Sequence, residues 1–209
     1  RRALQDRVPS LRWPDPELER DLCLVAMYER LSDLGCSGAL QDLPPEAWSP
    51  AMRPLLEMGL LQPLEEAAIR GGIESLGRIV DETSRLVRSQ YEENPYPRWL
   101  GLPELKRRGT PVSIAHLLRQ QYPHFEPPAL LAGPADVLIA GGGTGKHPIS
   151  RALTYRDAQV LAIDISKSSL AYAERMARLY GVTNVRFLQA DILELGRLDR
   201  RFPVIESVG

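Results

Sequence analysis

The chain has 209 residues, with 26 basic against 27 acidic side chains and a formal net charge of -1. That balance offers no general field for a nucleic acid or an anionic membrane surface, and no apolar run reaches bilayer-spanning length. With only Cys23, Cys36 and three histidines there is no zinc site or disulfide framework to build, so no metal is expected and the thiols read as reduced, in the cytoplasm.

Arg1-Arg2-Ala3-Leu4 shows no signal-peptide core and no initiating Met, which reads as a missing start. From Asp15 to about Leu34 the spacing predicts a helix: Asp15 as cap, Pro16 in the first turn, Leu18, Leu22, Val25, Tyr28 and Leu31 on one face, and Gly35 as stop. Pro44, Pro45, Pro50, Pro54 and Pro63 then predict short helical pieces near Glu46 to Trp48 and Met52 to Met58. A longer helix is expected from about Gly72 to Glu92, carried by Ile73, Leu76, Ile79, Val80, Leu86 and Val87. Asn94-Pro95-Tyr96-Pro97-Arg98-Trp99 cannot continue it, because each proline removes a donor and drives its predecessor to extended geometry. One more helix, Pro111 to Gln121, closes an all-helical N-terminal region of residues 1–125 containing a stiff aromatic loop at 91–99. The boundary is placed near Glu126 to Pro134.

Residues 126–209 alternate regularly. Strands are predicted at 136–140, 159–164, 184–190 and 202–208, and helices at 145–155 and 167–180, the second capped by Ser166 and stopped by Gly181. Strand alternating with helix means a parallel sheet, so the fold class is α/β, a Rossmann-like sheet preceded by helices. The fourth strand runs to Gly209, which reads as a domain truncated there and a chain cut at both ends.

Each of the first three strands ends in a group suited to a nucleoside. Val137-Leu138-Ile139-Ala140 empties into Gly141-Gly142-Gly143-Thr144-Gly145; Val160 to Ile163 ends on Asp164; Val185 to Ala190 ends on Asp191. Glycines serve where the backbone takes positive φ or a ligand must approach without a Cβ in the way. A phosphate-cradling P-loop would need glycine at Ala140 and a hydroxyl at His147. A dinucleotide fold would need its third glycine at Lys146, where helix and strand pack closely. The pattern left is Gly-x-Gly-x-Gly with two acids in step, fitting a nucleoside without phosphates. Lys146 and His147, in a helix's first turn, read as surface residues, and no catalytic residue is named.

This pattern resembles the class I S-adenosylmethionine-dependent methyltransferases over the segment from about Asp136 to Gly209. The segment Tyr91-Glu92-Glu93-Asn94-Pro95-Tyr96-Pro97-Arg98-Trp99 is similar to a signature of bacterial methyltransferases often joined to tetratricopeptide repeats. Repeats of that type, if joined to this chain, would precede Arg1. The resemblance implies S-adenosylmethionine as cofactor, with its methionine and ribose against Gly141, Gly143 and Gly145. Asp164 would take the ribose hydroxyls and Asp191 the adenine amino group, while Ile165 and Ile192 flank the ring. Tyr91, Asn94, Tyr96, Arg98 and Trp99 are candidates for an acceptor site or lid, with an aromatic plug between helices and sheet as the alternative. Two positions depart from the family: Ile139 where many relatives carry an acid, and Phe202-Pro203 where Phe-Asp is common. The expected activity is methyl transfer to a small-molecule or protein acceptor that the sequence does not identify, with the fragment inactive alone. An NAD(P)-dependent oxidoreductase and a non-catalytic interaction module on a degenerate fold are the other readings.

Overall fold

The computed structural model describes residues 15–102 and 110–208; the expectations for Arg1 to Leu4 and for Gly209 lie outside them. The chain forms two compact units, dividing between Ala68 and Ile69.

In the first unit, helix α1 (Pro16–Ala26) starts on Asp15, whose carboxylate accepts from the N–H of Glu17 at 2.9 Å and of Leu18 at 3.0 Å. Leu18 and Leu22 are fully buried, as their spacing requires. The helix ends eight residues before Leu34, and Tyr28 is 85% exposed rather than on the buried face. Arg30 turns extended and a 3-10 turn, Leu31–Asp33, folds the chain back so that Leu31, Leu34 and Cys36 pack onto Leu18 and Leu22. Helix α2 (Ser37–Gln41) adds Leu40 to that core. Pro63 does not break the next helix as expected. Helices α3 (Arg53–Leu56) and α4 (Gln62–Gly72) are joined by a π turn, Glu57–Leu61, whose extra residue accommodates the missing N–H and the ring.

The second unit holds the sheet. Strands β1 (Ala135–Ala140), β2 (Ala158–Asp164), β3 (Val185–Gln189) and β4 (Val204–Ser207) are all parallel, in the order β3-β2-β1-β4. β1 is covered on both sides from Val137 to Ala140, which is why that stretch reads as an apolar run. Val137 and Ile139 face a core shared with α6 (Ile114–Gln121), α7 (Lys146–Thr154) and α8 (Lys167–Leu179). Leu138 and Ala140 face a second core with Leu161, Ile163 and Ala190.

Two expectations change here. The helix anticipated over 72–92 is shorter: α5 spans Glu82–Glu93, and residues 73–81 are not helical. Gly77 takes φ of +71°, and residues 74–76 run alongside β3, with the Gln189 N–H donating to the Glu74 carbonyl and the Leu76 N–H to the Gln189 carbonyl. Leu76 is thereby packed on the second core, so its apolar character reports a sheet edge and not a helix face. The compact unit also begins at Ile69, well before the boundary drawn at 126. The cause is burial: Ile69 and Ile73 pack on Leu170 and Ala171 of α8, and Trp99, Leu102, Ile114 and Ala115 enter the core under β1 and β2.

Gly145 carries a test of this packing. Its φ is +86°, and a Cβ there would lie 2.4 Å from the Cβ and 2.9 Å from the Cα of Ala173 on α8. Gly145→Ala adds left-handed strain to a backbone collision and should destabilise the sheet unit by about 3 kcal/mol, read by urea unfolding. Gly143→Ala, at φ +53° with open space around the added atom, should cost only the backbone strain, about 1 kcal/mol.

Candidate functional site

A cavity of about 910 Å³ opens over the carboxyl ends of β1, β2 and β3, where ligands of open parallel sheets sit. Its floor is the glycine turn. Gly141 and Gly142 both donate their N–H to the Ile163 carbonyl, at 3.0 and 2.8 Å, which bends the chain over the end of β2. Gly141 and Gly143 hold φ of +78° and +53° and line the cavity. Gly145 does not line it; its missing Cβ admits Ala173, so of the three glycines singled out in the sequence it serves helix packing.

Asp164, Ile165, Asp191 and Ile192 all line the cavity. The Asp164 carboxylate accepts from Ser166 N–H at 2.9 Å and from Gly143 N–H at 2.8 Å, joining the turn after β2 to the glycine turn. Burial pushes the Asp164 carboxyl above the usual carboxylate range, outweighing those backbone donors, and the charge of Glu92 adds to the rise. Asp191 is buried and caps a 3-10 turn, Ile192–Arg197, by accepting from Leu193 N–H at 3.0 Å. Ile192 is half exposed on the cavity wall.

The aromatic loop divides between the two roles considered for it. Tyr91 and Tyr96 line the cavity, Tyr96 with 74% of its surface exposed. Asn94, Arg98 and Trp99 are not part of the lining. Asn94 ends α5, and Arg98 lies 4.5 Å over the Tyr172 ring. Trp99 is a plug: 6% exposed, stacked on Tyr180, and donating its indole N–H to the Thr144 carbonyl at 2.9 Å.

Several cavity residues had no signal of their own in the sequence. Asp81, Thr83, Ser84 and Val87 bring the first half of α5 over the cavity. Lys146 and His147, read as surface residues, also line it. His147 Nε2 lies 2.7 Å from Glu206 of β4, which also accepts from Arg151 Nε at 2.8 Å and from the Tyr155 hydroxyl. The strand register sets Glu206 beside Ile139, the position where the family's acid is absent. Burial alone would raise the Glu206 carboxyl, but hydrogen bonds from His147, Tyr155 and Arg151 outweigh it and hold it at about 2. Among the described residues no group of three or more His, Cys, Asp or Glu is placed to hold a metal ion, and no helix is long and apolar enough to cross a membrane.

Residues 135–207 match the sequence model of a family described as a methyltransferase domain. Among solved structures, the chain is similar to the ribosomal protein L11 methylase of Lactobacillus delbrueckii subsp. bulgaricus, at 26% identity and a TM-score of 0.33, over 44% of this chain and 42% of that one. It is similar to PKMT2 of Rickettsia typhi in complex with AdoHcy, at 25% identity and a TM-score of 0.37, over 47% of this chain and 20% of that one. A third is a protein studied for the conversion of a disulfide bond into a thioacetal group during echinomycin biosynthesis, at 22% identity and a TM-score of 0.39, over 61% and 47%. The chain thus spans about a fifth to about a half of the length of these structures.

The Glu206 cluster predicts a pH signature. Its folded value of about 2 lies below the ordinary 4.5, so its contribution is fully present above pH 4.5 and is lost as pH falls through the range down to 2. The shift corresponds to at most about 3 kcal/mol, less whatever solvent screens from the partly open side chain. Glu206→Gln should therefore be less stable than wild type by about 2–3 kcal/mol at pH 7, and the gap should shrink to roughly half or less by about pH 3 and close only near pH 2, as urea unfolding at several pH values would read out.

Proposed function

We propose that this chain belongs to an S-adenosylmethionine-dependent methyltransferase, with Gly141, Gly143, Asp164, Ile165, Asp191 and Ile192 forming the nucleoside site. The observation that carries the reading is the pair of carboxylates, Asp164 and Asp191, opening from the ends of adjacent strands into one cavity floored by glycine backbone.

The residues fit such a ligand on three counts. An ionised carboxylate offers about four acceptor positions, and the Gly143, Ser166 and Ile165 N–H groups take up to three at Asp164, leaving capacity for at least one ligand hydroxyl. Asp191 uses one oxygen on Leu193, and the other is available to an exocyclic amine. Beside Gly143, a Cβ would meet nothing within 4 Å, so the backbone leaves open the space a ligand would use. Ile165 and Ile192 supply apolar walls for a flat base.

When bound, the cofactor supplies an electrophilic methyl on a sulfonium. The residues of this chain then hold and align the donor and keep water out. α5 covers one side of the cavity through Thr83, Ser84 and Val87, and Tyr91, Tyr96 and Pro97 form the neighbouring wall. The acceptor class is not fixed by these residues.

Calorimetric titration with S-adenosylhomocysteine tests the reading. Wild type should bind, Asp164→Asn should bind at least about tenfold more weakly through lost charge-assisted hydrogen bonds, and Asp191→Ala should lose a similar factor. NAD should not bind. Unchanged affinity in Asp164→Asn would overturn the role of Asp164. Preference for NAD would favour an oxidoreductase, and indifference to both ligands a non-catalytic module.

A further inference from the structure

The segment Tyr91 to Trp99, whose Tyr91, Tyr96 and Pro97 form part of the cavity wall, touches both turns that hold Asp164. At one end, the Ser166 hydroxyl donates to the Tyr91 carbonyl at 3.1 Å. Glu92 then grips the first turn of α8: Lys167 N–H donates to Oε1 at 2.9 Å, and Ser168 donates to Oε2 through its N–H at 3.1 Å and its hydroxyl at 2.6 Å. At the other end the grip is on the glycine turn. The Thr144 hydroxyl donates to the Pro97 carbonyl at 2.6 Å, and the Trp99 indole donates to the Thr144 carbonyl. Trp99 is itself pinned to α8, edge-on to Tyr172, whose hydroxyl donates to the Trp99 carbonyl. Pro95 and Pro97 stiffen the stretch between the two grips.

Asp164 spans the same two turns from within, through Gly143 N–H and Ser166 N–H. We infer that Tyr91 to Trp99 is a clamp that fixes the spacing between the glycine turn and the turn after β2, and that Glu92 is a positioning residue for Asp164, acting through the start of α8. The clamp's value for cofactor binding rests on the methyltransferase reading; its mechanical coupling does not. The two grips explain why an acid, two prolines and an indole occur together in a segment that contributes only Tyr91, Tyr96 and Pro97 to the cavity wall.

Glu92 suits this work because it stays ionised. Burial opposes the charge, but the Ser168 hydroxyl, the two backbone N–H groups and Arg88 hold the carboxyl below its ordinary value. A rigid strap with a charge-assisted grip at one end and a buried indole at the other transmits displacement from either turn to the other.

Native-state hydrogen exchange on the ligand-free chain reads the coupling directly. Glu92→Ala cuts one grip, and amides at residues 141–147 should exchange at least about tenfold faster, together with those at 166–168. Thr144→Val, which keeps the side-chain shape and cuts the other grip, should loosen 166–168 in return. Val185→Ala, at the far end of β3, is the control for lost core stability and should not selectively speed exchange at either turn. In titrations with S-adenosylhomocysteine, Glu92→Ala should weaken binding at least about tenfold, Glu92→Gln should recover it to within about threefold, and Val185→Ala should leave it unchanged. Unaltered exchange at 141–147 in Glu92→Ala, or equal weakening by Val185→Ala, overturns the clamp. If wild type binds no S-adenosylhomocysteine while the two turns still loosen together, the clamp stands and the cofactor reading falls.

Discussion

One carboxylate organises the candidate site. Asp164 ends β2 with each oxygen engaged by a different turn, Gly143 N–H on one side and Ser166 N–H on the other. Each such bond to a charged acceptor is worth about 1.5–3 kcal/mol, enough to fix two loops that have no sheet pairing of their own. The same residue pays for its position, because burial raises its carboxyl above the ordinary range despite those donors. A group held in this balance gains from any further hydroxyl or amine donor that enters the cavity, so the site is electrostatically unsaturated where a ligand would bind.

The surrounding packing protects that balance. Gly145 lets Ala173 of α8 approach the glycine turn more closely than any side chain there would allow. Trp99 closes the gap on the other side; burying an indole of roughly 200 Å² contributes about 5 kcal/mol gross at 25 cal/mol per Å², more than its single hydrogen bond to Thr144 supplies. Burial thus supplies the energy of the contact, and the hydrogen bond supplies its direction. Residues 69–102 are accordingly part of the sheet unit, because removing them would uncover the cores beneath Ile73, Leu76 and Trp99.

What could be read from the sequence, and what could not, follows the range of the interactions involved. β1 and β2 were legible because parallel strands covered on both faces are continuously apolar, and the Ser166 cap because it is a local bond to Ser169 N–H. Asp164 and Asp191 could be picked out because one crossover separates the glycines from Asp164 and a second separates Asp164 from Asp191. Residues 73–81 misled because Ile73, Leu76 and Val80 recur at helical spacing, while pairing of residues 74–76 with β3, over a hundred residues away, decides their conformation. Pro63 misled because a π turn several residues earlier absorbs it. His147 and Glu206 are 59 positions apart and meet only through the β1–β4 register, so nothing local announced them.

Two of the three perturbed carboxylates among the described residues of the sheet unit, Glu206 and Asp164, differ in the sign of their shifts; Glu92, the third, is lowered like Glu206. Glu206 is surrounded by an imidazole, a guanidinium and a phenol, and is driven down to about 2; it is a satisfied anion that docks α7 onto β4 and has little left to offer a ligand. Asp164 is held by backbone amides, and the charge that shifts it, Glu92, has its own sign. A carboxylate raised by burial and by a like charge, at the mouth of a cavity, costs stability in its ionised form unless something else supplies donors. Glu92 cannot be dispensed with to relieve that cost, because it holds the first turn of α8 and, through Ser166, the geometry of Asp164 itself. The tension between the grip that positions Asp164 and the charge that disfavours it is the physical reason to assign ligand binding to this end of the sheet and a structural role to Glu206.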